Sequence, residues 1–216
     1  MTPFFAGVCL LAMCVVLFAE ARVLQGLRAA AKTIASASFV LFAWRCGALD
    51  AGPAGAWLVA GLLFAVAGDL FLLSSNKRWF LAGIGAFLLT HVCYGVAFCF
   101  LGLSWSVTAV ALVPLGLLAW GIWRWLGPHV GNLSVPVRIY IVVISCMVAF
   151  SVGCVAVDPS PARAGLFACA VLFFASDIMV ARQRFVSAGF LNKLIGLPLY
   201  YVSQLGLAGW IASAGG

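Results

Sequence analysis

Apolar residues fill this chain in eight stretches bounded by charge, glycine or proline, near 3 to 19, 32 to 47, 56 to 75, 79 to 101, 104 to 125, 136 to 157, 162 to 181 and 190 to 212. Each approaches the ~20 residues that a helix needs to cross ~30 Å of hydrocarbon. The pattern predicts an all-α, polytopic transmembrane bundle of about eight helices. The second stretch is the weakest, being short and interrupted by Lys32 and Arg45.

Charge placement bears on that stretch. With eight spans, Arg22, Arg28, Lys32, Lys77, Arg78, Arg124, Arg138, Arg182, Arg184 and Lys193 fall on one side, against Arg45 and Arg163 on the other. Because Lys and Arg are retained on the cytoplasmic side, this split favours eight spans over seven and places both termini on the non-cytoplasmic side. The Asn132-Leu133-Ser134 sequon is then cytoplasmic and unused. Ala19-Glu20-Ala21 resembles a signal-peptidase site, but no positive residue precedes the apolar core, so the first stretch reads as a spanning helix.

Composition agrees. Hydrophobic residues make up 66% of the chain and charged residues 8%, against roughly 45–50% and about 25% in soluble domains. Residues 1–216 read as a single transmembrane domain. The net charge of +7 is scattered, not gathered into a stripe, which argues against nucleic acid; nothing calls for a protein partner. The eight cysteines lie in or beside apolar runs without a C-x-x-C pair and read as small buried hydrophobes.

Of five acidic residues, Glu20, Asp50 and Asp158 fall at predicted surfaces or loops, whereas Asp69 and Asp177 lie inside apolar runs. A carboxylate there costs about 2.5–3.5 kcal/mol on insertion scales unless it is paired, protonated or facing a polar cavity. Both spans run the same way, which gives the two aspartates similar depth, one to two turns from the cytoplasmic end. Two nearby carboxyls in low dielectric suit a general acid paired with a carboxylate; the bland alternative is that each pairs with Lys32 or an arginine.

Phe80, Gly83, Phe87, His91, Tyr94 and Phe98 recur at helical spacing and form one face of the fourth helix. His91 is a catalytic candidate, or a packing histidine bonded between helices. Tyr140 stands near the start of the sixth helix, as a site residue or an interfacial anchor. Tyr200, Tyr201 and Gln204 share one side of the eighth, with Gln204 too deep for an anchor. Lys32, opening the second span, either snorkels or holds a substrate phosphate. His129 is in a loop and no second intramembrane histidine exists, so no metal is expected, and no cofactor motif or hydrolase signature is present. A short parallel echo links Gly68-Asp69 with Ser176-Asp177, each followed by a basic pair and then a polar cluster in the next helix.

These residues resemble the YhhN-like lysoplasmalogenases across nearly the whole chain. The resemblance is carried by GDLFLL (Gly68 to Leu73), by the F-x-x-G-x-x-x-F-x-x-x-H-x-x-Y pattern from Phe80 to Tyr94, by FFASDIMVA (Phe173 to Ala181) and by PLYYVSQ (Pro198 to Gln204). Where the family has Lys-Pro at the second helix, this chain has Lys32-Thr33. The resemblance implies hydrolysis of the vinyl-ether bond of a lysolipid to a fatty aldehyde and glycerophosphocholine or glycerophosphoethanolamine, in a bacterial cytoplasmic (inner) membrane, with membrane lipids as the other contacts. One of Asp69 and Asp177 would donate the proton and the other stabilise the cation. His91, Tyr94, Tyr140, Tyr200, Tyr201, Gln204 and Lys32 would position water and substrate. The rival readings are a proton-coupled transporter of a small lipid or metabolite and a noncatalytic scaffold.

Overall fold

A computed structural model describes residues 2–74 and 76–214. The described residues form helices and turns only: α1 (Thr2–Ala21), α2 (Gln25–Arg45), α3 (Gly52–Phe71), α4 (Lys77–Leu101), α5 (Trp105–Val130), α6 (Ser134–Val157), α7 (Pro161–Ala181) and α8 (Phe190–Ala214). Helix starts carry their usual signals: Asn76 caps α4 by accepting from the Arg78 N–H, and Ser160 precedes Pro161 in the first turn of α7.

Among the described residues, seven helical segments are long and apolar enough to cross a membrane, as in an integral membrane protein. One of them, Trp105–Val157, is 53 residues long and contains both α5 and α6. These two pack against each other, so the chain doubles back between them, at Gly131. The positive φ of Gly131 (52°) is the backbone conformation that a side chain disfavours, and it makes that reversal possible.

Consecutive helices pair except α4 and α5, with α4 packing on α6 instead, and α8 returns to pack on α1. The result is a ring of α1, α2, α3, α4, α6, α7 and α8, with α8 also touching α2 and α3 across its middle. The fifth helix leans on the outside of α6 and turns Val110, Val113, Leu117 and Trp120 outward. Such surface is stable in lipid and costly in water. Close approach holds the α3–α4 seam: a methyl group on Gly61 or Gly68 would strike the rings of Tyr94 and Phe87 respectively.

Four expectations need correction. His129 lies in the last turn of α5 and not in a loop. The second helix starts at Gln25, not near residue 32, so Lys32 lies about two turns inside it. Asp69 sits in the last turn of α3, closer to the helix end than its apolar run suggested. Of the eight cysteines, Cys9, Cys93, Cys154 and Cys169 are buried, while Cys14 and Cys99 are exposed on the helix surface. The predicted apolar face of α4 is as expected, since Phe80, Gly83, Phe87, His91, Tyr94 and Phe98 are all buried.

The basic ends of the helices meet. Glu20 at the end of α1 binds Lys193 of α8 (2.6 Å) and Arg28 of α2 (3.6 Å), and Arg28 donates to the Leu73 carbonyl after α3 (2.9 Å).

Candidate active site

Asp69 is almost fully buried, and the fold surrounds it with donors. Lys32 and Ser36 stand one helical turn apart on the same side of α2 and both reach it. The Lys32 ammonium lies 3.1 Å from Oδ1; the Ser36 hydroxyl (2.5 Å) and the Tyr200 hydroxyl (2.9 Å) both donate to Oδ2. Lys32 therefore neither snorkels nor stands free, and Asp69 has the ion-pair partner that the bland alternative required. An ammonium and two hydroxyls offset the cost of a carboxylate at this depth.

Asp177 lies one turn before the end of α7, where the chain passes into a π-helical turn, Arg182–Val186. Its Oδ2 accepts from the Tyr140 hydroxyl of α6 (2.7 Å) and lies 2.9 Å from His91 Nε2 of α4. His91 Nε2 is also 2.9 Å from the Tyr140 oxygen. Since a carboxylate oxygen only accepts, we assign the imidazole proton to Nε2, donating to Asp177. Among the described residues no hydrogen bond reaches Asp177 Oδ1, and the Asp177 side chain keeps 16% of its surface exposed against 3% for Asp69.

Both carboxylates line one cavity of about 200 Å³, together with Lys32, Tyr140 and Tyr200. The remaining wall is mainly apolar, with Ile84, Phe87, Leu126, Ile144 and Phe174 among its members, and the basic end is lined by Gln183, Arg184, Asn192 and Lys193. Phe173 stands between the two polar groups, its ring 4.5 Å from His91 and 5.6 Å from Tyr200.

Four residues singled out from the sequence stand outside the cavity lining. His91 is completely buried behind Asp177 and Tyr140, its Nε2 2.9 Å from both. The Tyr94 hydroxyl donates to Gln204 Oε1 (2.5 Å), a buried pair joining α4 to α8. Tyr201 packs against the rings of Tyr200 and Phe39. Conversely, the structure adds Ser36, bonded to Asp69, and Gln183, Arg184 and Asn192 in the cavity lining, none of which the sequence pattern singles out. Ser36 was within reach of sequence reasoning, because it follows Lys32 at i+4; the others meet only through tertiary packing. Among the described residues, His, Cys, Asp and Glu side chains nowhere gather in threes able to hold a metal ion.

The geometry is that of two differently supported carboxyls lining one largely apolar cavity. The chain is 34% identical over 173 residues to lysoplasmalogenases of Mycobacterium bovis and Mycobacterium tuberculosis, covering 75% of this chain and 61% of theirs. It is 25% identical over 172 residues to a lysoplasmalogenase of Bos taurus, covering 78% of this chain and 70% of that protein. The chain thus spans about three fifths of the length of the mycobacterial relatives. No solved structure matches it. The model of the YhhN family matches residues 27–211, a span that holds every cavity-lining side chain described above, and the chain belongs to that family.

Proposed function

We propose that this protein hydrolyses the vinyl-ether bond of lysoplasmalogens, with Asp177 as the proton donor and Asp69 as the fixed anion. The observation that carries this reading is the shared cavity: two carboxyls line one apolar space large enough for the reacting end of a lipid chain. The names of the relatives point to the same substrate.

A vinyl ether is cleaved by protonating its outer alkene carbon, which leaves an oxocarbenium ion at the carbon bonded to oxygen. Asp177 suits the donor role, because it lines the cavity and Tyr140 and His91 engage Oδ2, leaving Oδ1 without a hydrogen-bond partner among the described residues. Asp69 suits the anion role, held by Lys32, Ser36 and Tyr200. Water adds to the cationic carbon and its proton returns to Asp177. The hemiacetal then collapses to a fatty aldehyde and the glycerol hydroxyl, so one water is consumed and the acid is regenerated. This division of labour follows the two-carboxylate logic of glycoside hydrolysis. The apolar wall excludes bulk water and strengthens both interactions.

The membrane arrangement completes the proposal: eight spans, with α5 and α6 counted separately, both termini on the non-cytoplasmic side, and the basic cavity end facing the cytoplasm of a bacterial inner membrane. The helix pairing and the convergence of Arg28, Lys193 and Glu20 at one end support it.

The test is aldehyde release by purified protein in detergent from alkenyl, alkyl and acyl lysolipids. The alkenyl substrate alone should yield aldehyde, and in deuterated water that aldehyde should carry one deuterium on the carbon next to the carbonyl. A transporter releases no aldehyde, and that result would end the proposal.

A further inference from the structure

At its basic end the cavity is lined by Gln183, Arg184, Asn192 and Lys193, none of which the proposed chemistry uses. Their arrangement is built, not incidental. Asn192 is buried at the start of α8, where its amide donates to Gln183 Oε1 (2.9 Å) and to the Ser187 carbonyl (2.7 Å). Its own oxygen accepts from Arg182 (2.5 Å). The Gly189 N–H also donates to Gln183 Oε1 (2.8 Å). These bonds tie the π turn to α8; π turns inside helical segments recur at functional sites.

Three consequences follow for charge. Gln183 has its acceptor occupied twice, which leaves its NH2 as the free end. Lys193 shares Glu20 with Arg28, so a single carboxylate serves two cations. Arg184 lies with its guanidinium 4.1 Å from the centre of the Phe80 ring and is exposed; among the described residues no carboxylate pairs with it. The cavity end is therefore rich in donors and short of one negative charge. Arg184 has its plane supported by an aromatic face while its N–H fork stays open, the usual preparation for binding a phosphate oxygen pair.

We propose that Arg184, with Gln183 and Lys193, seats the phosphodiester of the lysolipid headgroup, so that the alkenyl chain runs inward past Asp177 and Asp69. This rests on the proposed lysolipid substrate but is tested separately from the hydrolysis. A seat at the cavity end also fixes depth: holding the phosphate there sets which carbon of the chain lies beside the carboxyls.

The experiment has a binding arm and a turnover arm, both on the full chain in detergent. In the binding arm, thermal stabilisation is titrated with a non-hydrolysable alkyl lysophosphoethanolamine, with the matching alkylglycerol that lacks phosphate, and with inorganic phosphate. The R184Q variant should bind the phospholipid about tenfold more weakly than wild type, while the two proteins bind the alkylglycerol alike. Stabilisation by inorganic phosphate alone at the same affinity as the phospholipid would assign the seat to free phosphate and overturn the headgroup assignment. In the turnover arm, R184Q should raise KM for the alkenyl lysophospholipid about tenfold at nearly constant kcat, and K193Q should raise it less because Lys193 is already shared with Glu20. Equal phospholipid binding by R184Q and wild type refutes the seat. Normal Arg184-dependent binding without any aldehyde release would leave the seat standing and refute the hydrolase reading.

Discussion

Asp69 and Asp177 look interchangeable along the chain, each in a small-residue-Asp pair late in an apolar run, yet the structure gives them opposite surroundings. Around Asp69, α2 and α8 close in with an ammonium and two hydroxyls, so that both carboxylate oxygens are engaged. Around Asp177, which also lines the cavity, α4 and α6 supply a tyrosine and a histidine to one oxygen alone, and among the described residues the other accepts no hydrogen bond. In the proposed mechanism, what separates the anchored anion from the acid is the count and charge of the donors that neighbouring helices deliver, since the residue type is the same.

The comparison can be broken at either end. The largest effect belongs to Asp177→Asn, expected to lower kcat by about 10³-fold or more while leaving thermal unfolding in detergent nearly unchanged. A comparable loss of stability would mean that Asp177 is a structural group. Asp69→Asn is expected to cost activity and stability together, because it strands the Lys32 ammonium; breaking such a pair costs about 3–5 kcal/mol. Replacing both partners, Lys32→Met with Asp69→Leu, should recover much of that stability and none of the turnover. Recovery of turnover would show that Asp69 serves only to neutralise Lys32.

Smaller effects sharpen the contrast. Tyr140→Phe removes one of the two bonds to Asp177 Oδ2 and should lower kcat about tenfold with little change in KM. Tyr94→Phe is the control: its hydroxyl serves Gln204, away from the cavity, so turnover by the folded protein should stay within about threefold of wild type while stability falls by about 1–3 kcal/mol. A larger fall in turnover than from Tyr140→Phe would reverse the assignment of which tyrosine faces the substrate.

Much of the architecture was legible in the sequence because lipid imposes a simple code: a helix must be about 20 residues long and apolar, and all eight predicted runs overlap the observed helices. The start of α2 was missed because Arg28 and Lys32 interrupt its hydropathy, although Ala29-Ala30-Ala31 is a strong helix former. The aspartates were legible for the reason that makes them costly, as carboxyls in apolar runs. Depth around them was not. Helical spacing put His91 and Tyr94 on one face of α4, but a face does not tell whether a side chain meets a cavity or a neighbouring helix, and the structure places both behind the wall. The cluster of Gln183, Arg184 and Asn192 was invisible for a related reason: the π turn and its cross-bonding to α8 exist only once α7 and α8 pack.

The central claim is that two carboxyls facing one cavity act on one bond, and the most direct measurement is kcat for aldehyde release by D69N, D177N and the D69N/D177N double variant, each purified as folded protein. Groups that act as a unit lose their effect together, so the double variant should be about as slow as the slower single one. Losses that multiply, or appreciable aldehyde release by the double variant, would contradict the account.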